Sequence, residues 1–99
     1  MTPVYKILRA HEWQAFEADG RFAGSPDDAL DGFIHLSAAD QVKGTRSRHF
    51  AGITGLVLVE LDADTLGDAL RWEASRGSVV FPHLYRALDR ADVVSAKPL

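Results

Sequence analysis

Apolar and polar positions change their period several times along the chain, and each change marks an element. Val4, Tyr5, Ile7 and Leu8, broken by charge only at Lys6 and Arg9, predict a short opening strand. From His11 to Asp19 the spacing turns helical. Trp13 and Phe16 fall three apart, their aromatic stripe reads as core, and Gly20 supplies a left-handed stop. Arg21 to Asp31, with Gly24, Ser25, Pro26 and acids, predicts a surface loop bordering a site. The run Asp31-Gly32-Phe33-Ile34-His35-Leu36-Ser37 then alternates, so Ile34 and Leu36 bury one face of a strand while Phe33, His35 and Ser37 share the other. Ser37 with Asp40 three residues on is a weak capping-box signal. A helix is therefore expected from Ala38 to about Arg48, with Val42 and Thr45 inward, Gly44 weakening it and Arg46, Arg48 and His49 crowding its end.

Leu56 to Leu61 is the most hydrophobic run, and it predicts a central strand buried on both faces. Asp62 to Asp68 reads as a turn or one short helical turn, after which Ala69 to Ala74 alternates again with Leu70 and Trp72 on one face. Arg76-Gly77-Ser78 is a turn signal. Val79 to Tyr85 follows as a strand that Pro82 confines to an edge or a bend. Arg86 to Asp92 reads as polar connection, and Val93 to Ala96 as a last strand with Pro98 and Leu99 fraying. There is no internal repeat, linker or low-complexity segment. The expected fold is a single small α+β domain, a mixed sheet of five to six strands with two main helices.

Composition narrows the function more than the fold. Ninety-nine residues bury somewhat more than about 60% of their unfolded surface, enough for one modest core and no separate substrate domain. At 46% apolar and 25% charged the chain is an ordinary globular sequence. A net charge of -3 gives no general pull toward nucleic acid or anionic lipid, so neither a nucleic-acid nor a membrane partner is expected. Without cysteine there are no disulfides, thiolate nucleophiles or cysteine-ligated zinc. The N-terminus lacks a signal-peptide pattern, and a cytoplasmic location is the simplest expectation.

Two histidines, His35 and His83, stand in similar strand contexts, each followed two residues later by a hydroxyl, Ser37 and Tyr85. Side by side, such strands would point both imidazoles into one cleft, where they could hold a ribose hydroxyl, shuttle a proton or bind metal. The bland alternative for His35 is a half-buried imidazole bonded to backbone. A metal site is not expected, because no histidine pair has helical i, i+4 spacing and no acid cluster completes a ligand set. No glycine-rich phosphate loop, Walker-type run or nucleophile elbow appears. A two-histidine phosphodiesterase would fit His35-x-Ser37 and His83-x-Tyr85, except that the second hydroxyl is a phenol.

Gly32 to Ser37 with Gln41-Val42, then Leu70-Arg71-Trp72-Glu73, then Phe81-Pro82-His83-Leu84-Tyr85, resembles the small bacterial family called domain of unknown function 952, over nearly the whole chain. That family is commonly grouped with the ADP-ribosyltransferase-like superfamily. The resemblance implies an ADP-ribosyltransferase-like fold and NAD, or a similar nucleotide, as co-substrate. It puts His35 on the nicotinamide-side ribose and Ser37 near the carboxamide, while His83 or Tyr85 falls where other branches carry later motif residues. Two departures stand out. No acid lies between Phe81 and Tyr85, which leaves Glu73 as the substitute for a late-strand catalytic glutamate, although a solvated salt bridge to Arg71 or Arg76 is the simpler role for it. Arg86 stands where much of the family has glycine. Trp72 or Tyr85 could stack the nicotinamide, and Arg46 and Arg48 could clamp pyrophosphate unless they serve only the helix terminus. The competing expectations are an ADP-ribosyl or related transferase of unspecified acceptor and a nucleotide-binding module without catalysis.

Overall fold

The computed structural model describes residues 1–74 and 77–99. The strands are β1 (Pro3–Leu8), β2 (Arg21–Phe22), β3 (Ile34–His35), β4 (Ser37–Ala38), β5 (Val57–Asp62), β6 (Leu70–Ala74), β7 (Val80–Leu84), β8 (Leu88–Asp89) and β9 (Val93–Pro98). The helices are α1 (Ala10–Asp19), α2 (Pro26–Asp31), α3 (Val42–His49) and α4 (Ala63–Leu66). The two longest, α1 and α3, are the expected pair. Among the described residues no helix is long and apolar enough to cross a membrane.

The α+β class is as expected, but a single mixed sheet is not what forms. The strands make a four-stranded sheet β4-β1-β5-β9, a three-stranded sheet β3-β7-β6 and the β2-β8 pair, and every pairing is antiparallel. The chain changes sheets at Leu36. His35 pairs with His83 on β7, whereas Ser37 pairs with Tyr5 on β1. Pro82 explains the break: its carbonyl accepts from Leu36 N at 3.1 Å, but its own nitrogen has no hydrogen to return. Of the two expected settings, an edge or a bend, the edge is not what forms: Pro82 sits on the middle strand of its sheet, at the point where the neighbour departs.

Val4, Leu8, Phe16, Ile34, Leu36, Val59, Leu61, Leu84 and Leu88 form the core between the sheets. Each such side chain contributes about 1.5–3 kcal/mol by leaving water. β5 is central but buries only one face fully, Val59 and Leu61, while Val57, Leu58 and Glu60 are half-buried. The stretch expected as a loop holds β2 and α2. Pro26 opens α2, Ser25 Oγ accepts from Asp28 N, and the Asp28 carboxylate accepts from Ser25 N at 2.9 Å, a reciprocal cap. Gly32 closes this helix at φ +83°. Ser37 caps nothing. Gln41 Oε1 takes that role by accepting from Ala38 N at 2.9 Å, and a 3-10 turn (Ala39–Gln41) precedes α3. The polar connection after Arg86 contains β8 and a 3-10 turn, tied by a bidentate Arg86–Asp92 pair at 2.9 and 3.2 Å. The C-terminus does not fray, since β9 reaches Pro98 and Leu99 N donates to Leu56 O. Of the expected turn, Gly77 takes φ +64°; Arg76, and with it the expected Arg76–Glu73 bridge, lies outside the described residues.

Candidate functional site

The β3–β7 register puts His35 directly opposite His83, on one face of the small sheet, with ring centroids 5.9 Å apart. Each imidazole is held through Nδ1 by a carboxylate from another element. Asp28 on α2 meets His35 Nδ1 at 2.6 Å, and Glu73 on β6 meets His83 Nδ1 at 2.8 Å. Phe33 stacks on His83 at 3.9 Å and lies 5.4 Å from Tyr85.

Asp28 is the hub. Its side chain is 2% exposed, and it accepts from Lys6 Nζ at 3.0 and 3.3 Å, from the backbone N–H groups of Ser25 and His35, and from the His35 ring. Lys6 Nζ, equally buried, also donates to His35 O at 3.0 Å. Burial alone would raise the Asp28 pKa, but the His35 hydrogen bond, the Lys6 charge and the backbone donors outweigh it and hold the carboxyl far below the usual range. The Asp28 bond raises the His35 pKa against the opposing effect of burial, and Asp31 adds to the rise. Asp31 Oδ2 lies 2.9 Å from Nε2 of the same ring. Only an imidazolium donates from both nitrogens, so both contacts are made together by the protonated ring.

Glu73 Oε1 accepts from the Tyr85 hydroxyl at 2.6 Å as well as from His83. These two bonds lower its pKa, that of Tyr85 first, and raise the Tyr85 pKa in return. Among the described residues Glu73 makes no salt bridge to Arg71, whose guanidinium lies over the Tyr85 ring at 4.9 Å instead. With Nδ1 donating to Glu73, the free nitrogen of His83 is Nε2, which has no partner among the described residues. No fully buried side-chain nitrogen or oxygen there lacks a partner, so Nε2 keeps some solvent contact in a residue that is only 5% exposed.

A cleft of about 470 Å³ runs over both imidazoles, within the range of small-molecule sites. His35, His83, Ser37 and Arg48 line it, joined by Phe81 and Thr45. Ser37 Oγ is bonded to Thr45 Oγ1 at 3.0 Å. Glu73 and Tyr85 stand behind His83, outside the lining. Trp72, a candidate to stack the nicotinamide, does not reach the cleft: it is 47% exposed and pairs with Pro82 on the face of the sheet away from the histidines. The sequence reading missed Lys6, Asp28, Asp31 and the stacking role of Phe33. For Asp28 a local signal existed, the Ser25-Pro26-Asp27-Asp28 cap; for Lys6, inside an apolar strand, its burial was hidden. Among the described residues no group of three or more metal-ligating side chains converges.

Fold and site together define a small α+β protein with a carboxylate-supported two-histidine cleft. Residues 7–96 match the family described as Protein of unknown function (DUF952), and the chain belongs to that family. It is 50% identical to protein CC0527 from Caulobacter crescentus, whose crystal structure superposes with a TM-score of 0.95 over 99% of this chain and 86% of that one. The solution structure of CC0527 gives 0.90 at 50% identity, covering 100% and 85%. A double mutant of CC0527 gives 0.95 at 49% identity, covering 99% and 86%. No curated protein matches the chain.

Proposed function

We propose that the cleft binds a nucleotide of the NAD type and that the protein transfers an ADP-ribosyl or related group from it, in keeping with an ADP-ribosyltransferase-like ancestry. The observation that carries this reading is the cross-strand His35–His83 pair on the cleft floor, with Arg48 and Ser37 in the walls. Because both nitrogens of His35 are engaged, the nitrogen open to a ribose hydroxyl is Nε2 of His83, fixed in place by Glu73. Arg48 offers a charge-assisted contact for pyrophosphate. Loss of nicotinamide leaves a cationic glycosyl centre, so catalysis there rests on positioning and electrostatics more than on a strong nucleophile.

A second reading, a nucleotide-binding module without turnover, is favoured by the placement of Glu73, whose carboxylate is taken by His83 and Tyr85 and is not itself among the residues lining the cleft. Titration with NAD, followed by imidazole NMR and by assay of free nicotinamide, separates the two. Saturable binding is expected, weakened about tenfold in His83→Ala by loss of one hydrogen bond worth ~1–1.5 kcal/mol. Release of nicotinamide supports transfer, and binding without release supports the module. No binding at millimolar NAD removes both.

A further inference from the structure

The two carboxylates on His35 are not equivalent. Asp28 is buried and anchored by Lys6 and two backbone donors, whereas the Asp31 side chain is 55% exposed and makes no other hydrogen bond among the described residues. Asp31 is the last residue of α2, Gly32 follows it with a left-handed backbone, and Ala29 to Gly32 are all exposed. The charges of the cluster balance two against two: Lys6 and the His35 imidazolium against Asp28 and Asp31. Take Asp31 away, and one positive charge remains beside a cleft whose wall also carries Arg48 and His49 against the one further carboxylate of Asp27.

We propose that Asp31 holds the place of an anionic ligand group, and that a phosphate oxygen of the ligand replaces its carboxylate on Nε2 of His35. The edge of the cleft at His35 is then a phosphate subsite, kept filled by the protein's own carboxylate until a ligand arrives. One N–H···O bond breaks and one forms, and the ring keeps both protons. Only the exposed last turn of α2 has to move. The inference deepens the nucleotide reading, on which it rests only in that a nucleotide carries such a group. It also accounts for what a hydroxyl would not: a neutral ligand group on Nε2 would leave the positive charge unbalanced.

Binding should weaken as His35 loses its proton, since a lone pair at Nε2 repels phosphate as it repels Asp31. The groups facing the ring are Asp28 and Asp31 from α2, Lys6 from β1 and His83 from β7.

The test uses the full chain and inorganic pyrophosphate, with calorimetry for affinity and imidazole NMR for location. Pyrophosphate should shift the His35 Nε2 resonance, and Asp31→Ala should bind it about tenfold more tightly, an ordinary size for release of a competing intramolecular contact. Asp27→Ala removes an equal charge from the same helix, and from the cleft lining, without breaking a bond to His35, so it measures the general electrostatic gain and its effect should be clearly smaller. The His83 resonances report whether each variant keeps the site folded. Equal gains in the two variants, or no gain in Asp31→Ala, overturn the proposal. Pyrophosphate binding that tightens in Asp31→Ala, in a protein that neither binds nor cleaves NAD, keeps the subsite and removes the NAD reading. NAD turnover with no pyrophosphate response does the reverse.

Discussion

Removing Asp28 tests the reasoning about the site where the numbers are largest. In Asp28→Ala the Lys6 ammonium, 8% exposed, loses its only carboxylate in the described structure. Breaking one side of a buried ion pair costs about 3–5 kcal/mol. Loss of the reciprocal cap on α2 adds about 0.5–2 kcal/mol. Against a total stability of about 5–15 kcal/mol, this leaves the domain marginal or unfolded. At ~4–8 °C per kcal/mol for a domain of this size, a loss of 3 kcal/mol lowers Tm by at least about 12 °C. The assay is urea unfolding of the wild type, Asp28→Ala, Lys6→Met and the double variant. In the double variant the orphan ammonium is gone, so a coupling of about 0.5–3 kcal/mol should be recovered. A loss under about 1 kcal/mol in Asp28→Ala, or strict additivity in the cycle, would refute the account of Lys6 and Asp28 as a buried pair.

Stability should also depend on pH through this cluster. The folded state raises the His35 pKa, so that contribution is complete below the unfolded value of about 6.5 and is lost as pH rises through the folded value. Asp28 behaves oppositely: its contribution is complete above about 3.9 and is lost only as pH falls toward its depressed folded value. Urea midpoints should therefore decline as pH rises above about 6.5, and His35→Gln should flatten that decline; an unchanged slope in the variant argues against it. Glu73→Gln should bring the Tyr85 pKa back down toward its ordinary value, read by ultraviolet titration against a Tyr5→Phe background, because the Glu73 bond is what raises it; a Tyr85 titration that stays put contradicts the Glu73–Tyr85 bond. Trp72→Ala should leave both Tm and NAD affinity nearly as they are, since the ring is half-exposed on the face away from the histidines; loss of NAD binding in that variant would reinstate the stacking role expected from sequence.

What the sequence revealed follows from how local each cause is. β1, α1, β6 and β7 lie close to their expected positions because strand alternation and helical spacing are set by neighbours within a few residues. Alternation also grouped Leu70 with Trp72 correctly. It could not say that β6 is an edge strand, where the shared face runs past the core between Leu70 and Trp72. Pro82 was read by the rule that proline avoids central strands, and the rule failed because β3 ends opposite it, which is a fact about pairing. α2 was missed for a different reason: six residues are too few for periodicity, so its only signal was the cap at Ser25 and Asp28, and glycine and proline nearby suggested a loop. The histidines were visible from their strands, while their carboxylates were not. Asp28 and Glu73 lie 7 and 10 residues away from their imidazoles, on other elements, and only the fold brings them together.

The Lys6–Asp28 pair gives a physical reason, independent of family, to regard His35 as functional. A buried ion pair is a poor source of stability, and a well-packed apolar pair in its place is often neutral or better. Here the pair does something an apolar pair cannot. Lys6 holds the carbonyl of His35, and Asp28 holds both its backbone N–H and its Nδ1, so three contacts on three different groups fix one residue in position and orientation. Among the described residues no comparable set of contacts surrounds His83, whose single carboxylate is half-buried and shared with Tyr85. A site that assigns rigid support to one imidazole and leaves the other with an open nitrogen has divided its work. Under the proposed function His35 would be the preorganised positive charge, held in the same place whether Asp31 or a ligand faces it, and His83 the group that makes and breaks a bond with whatever enters the cleft.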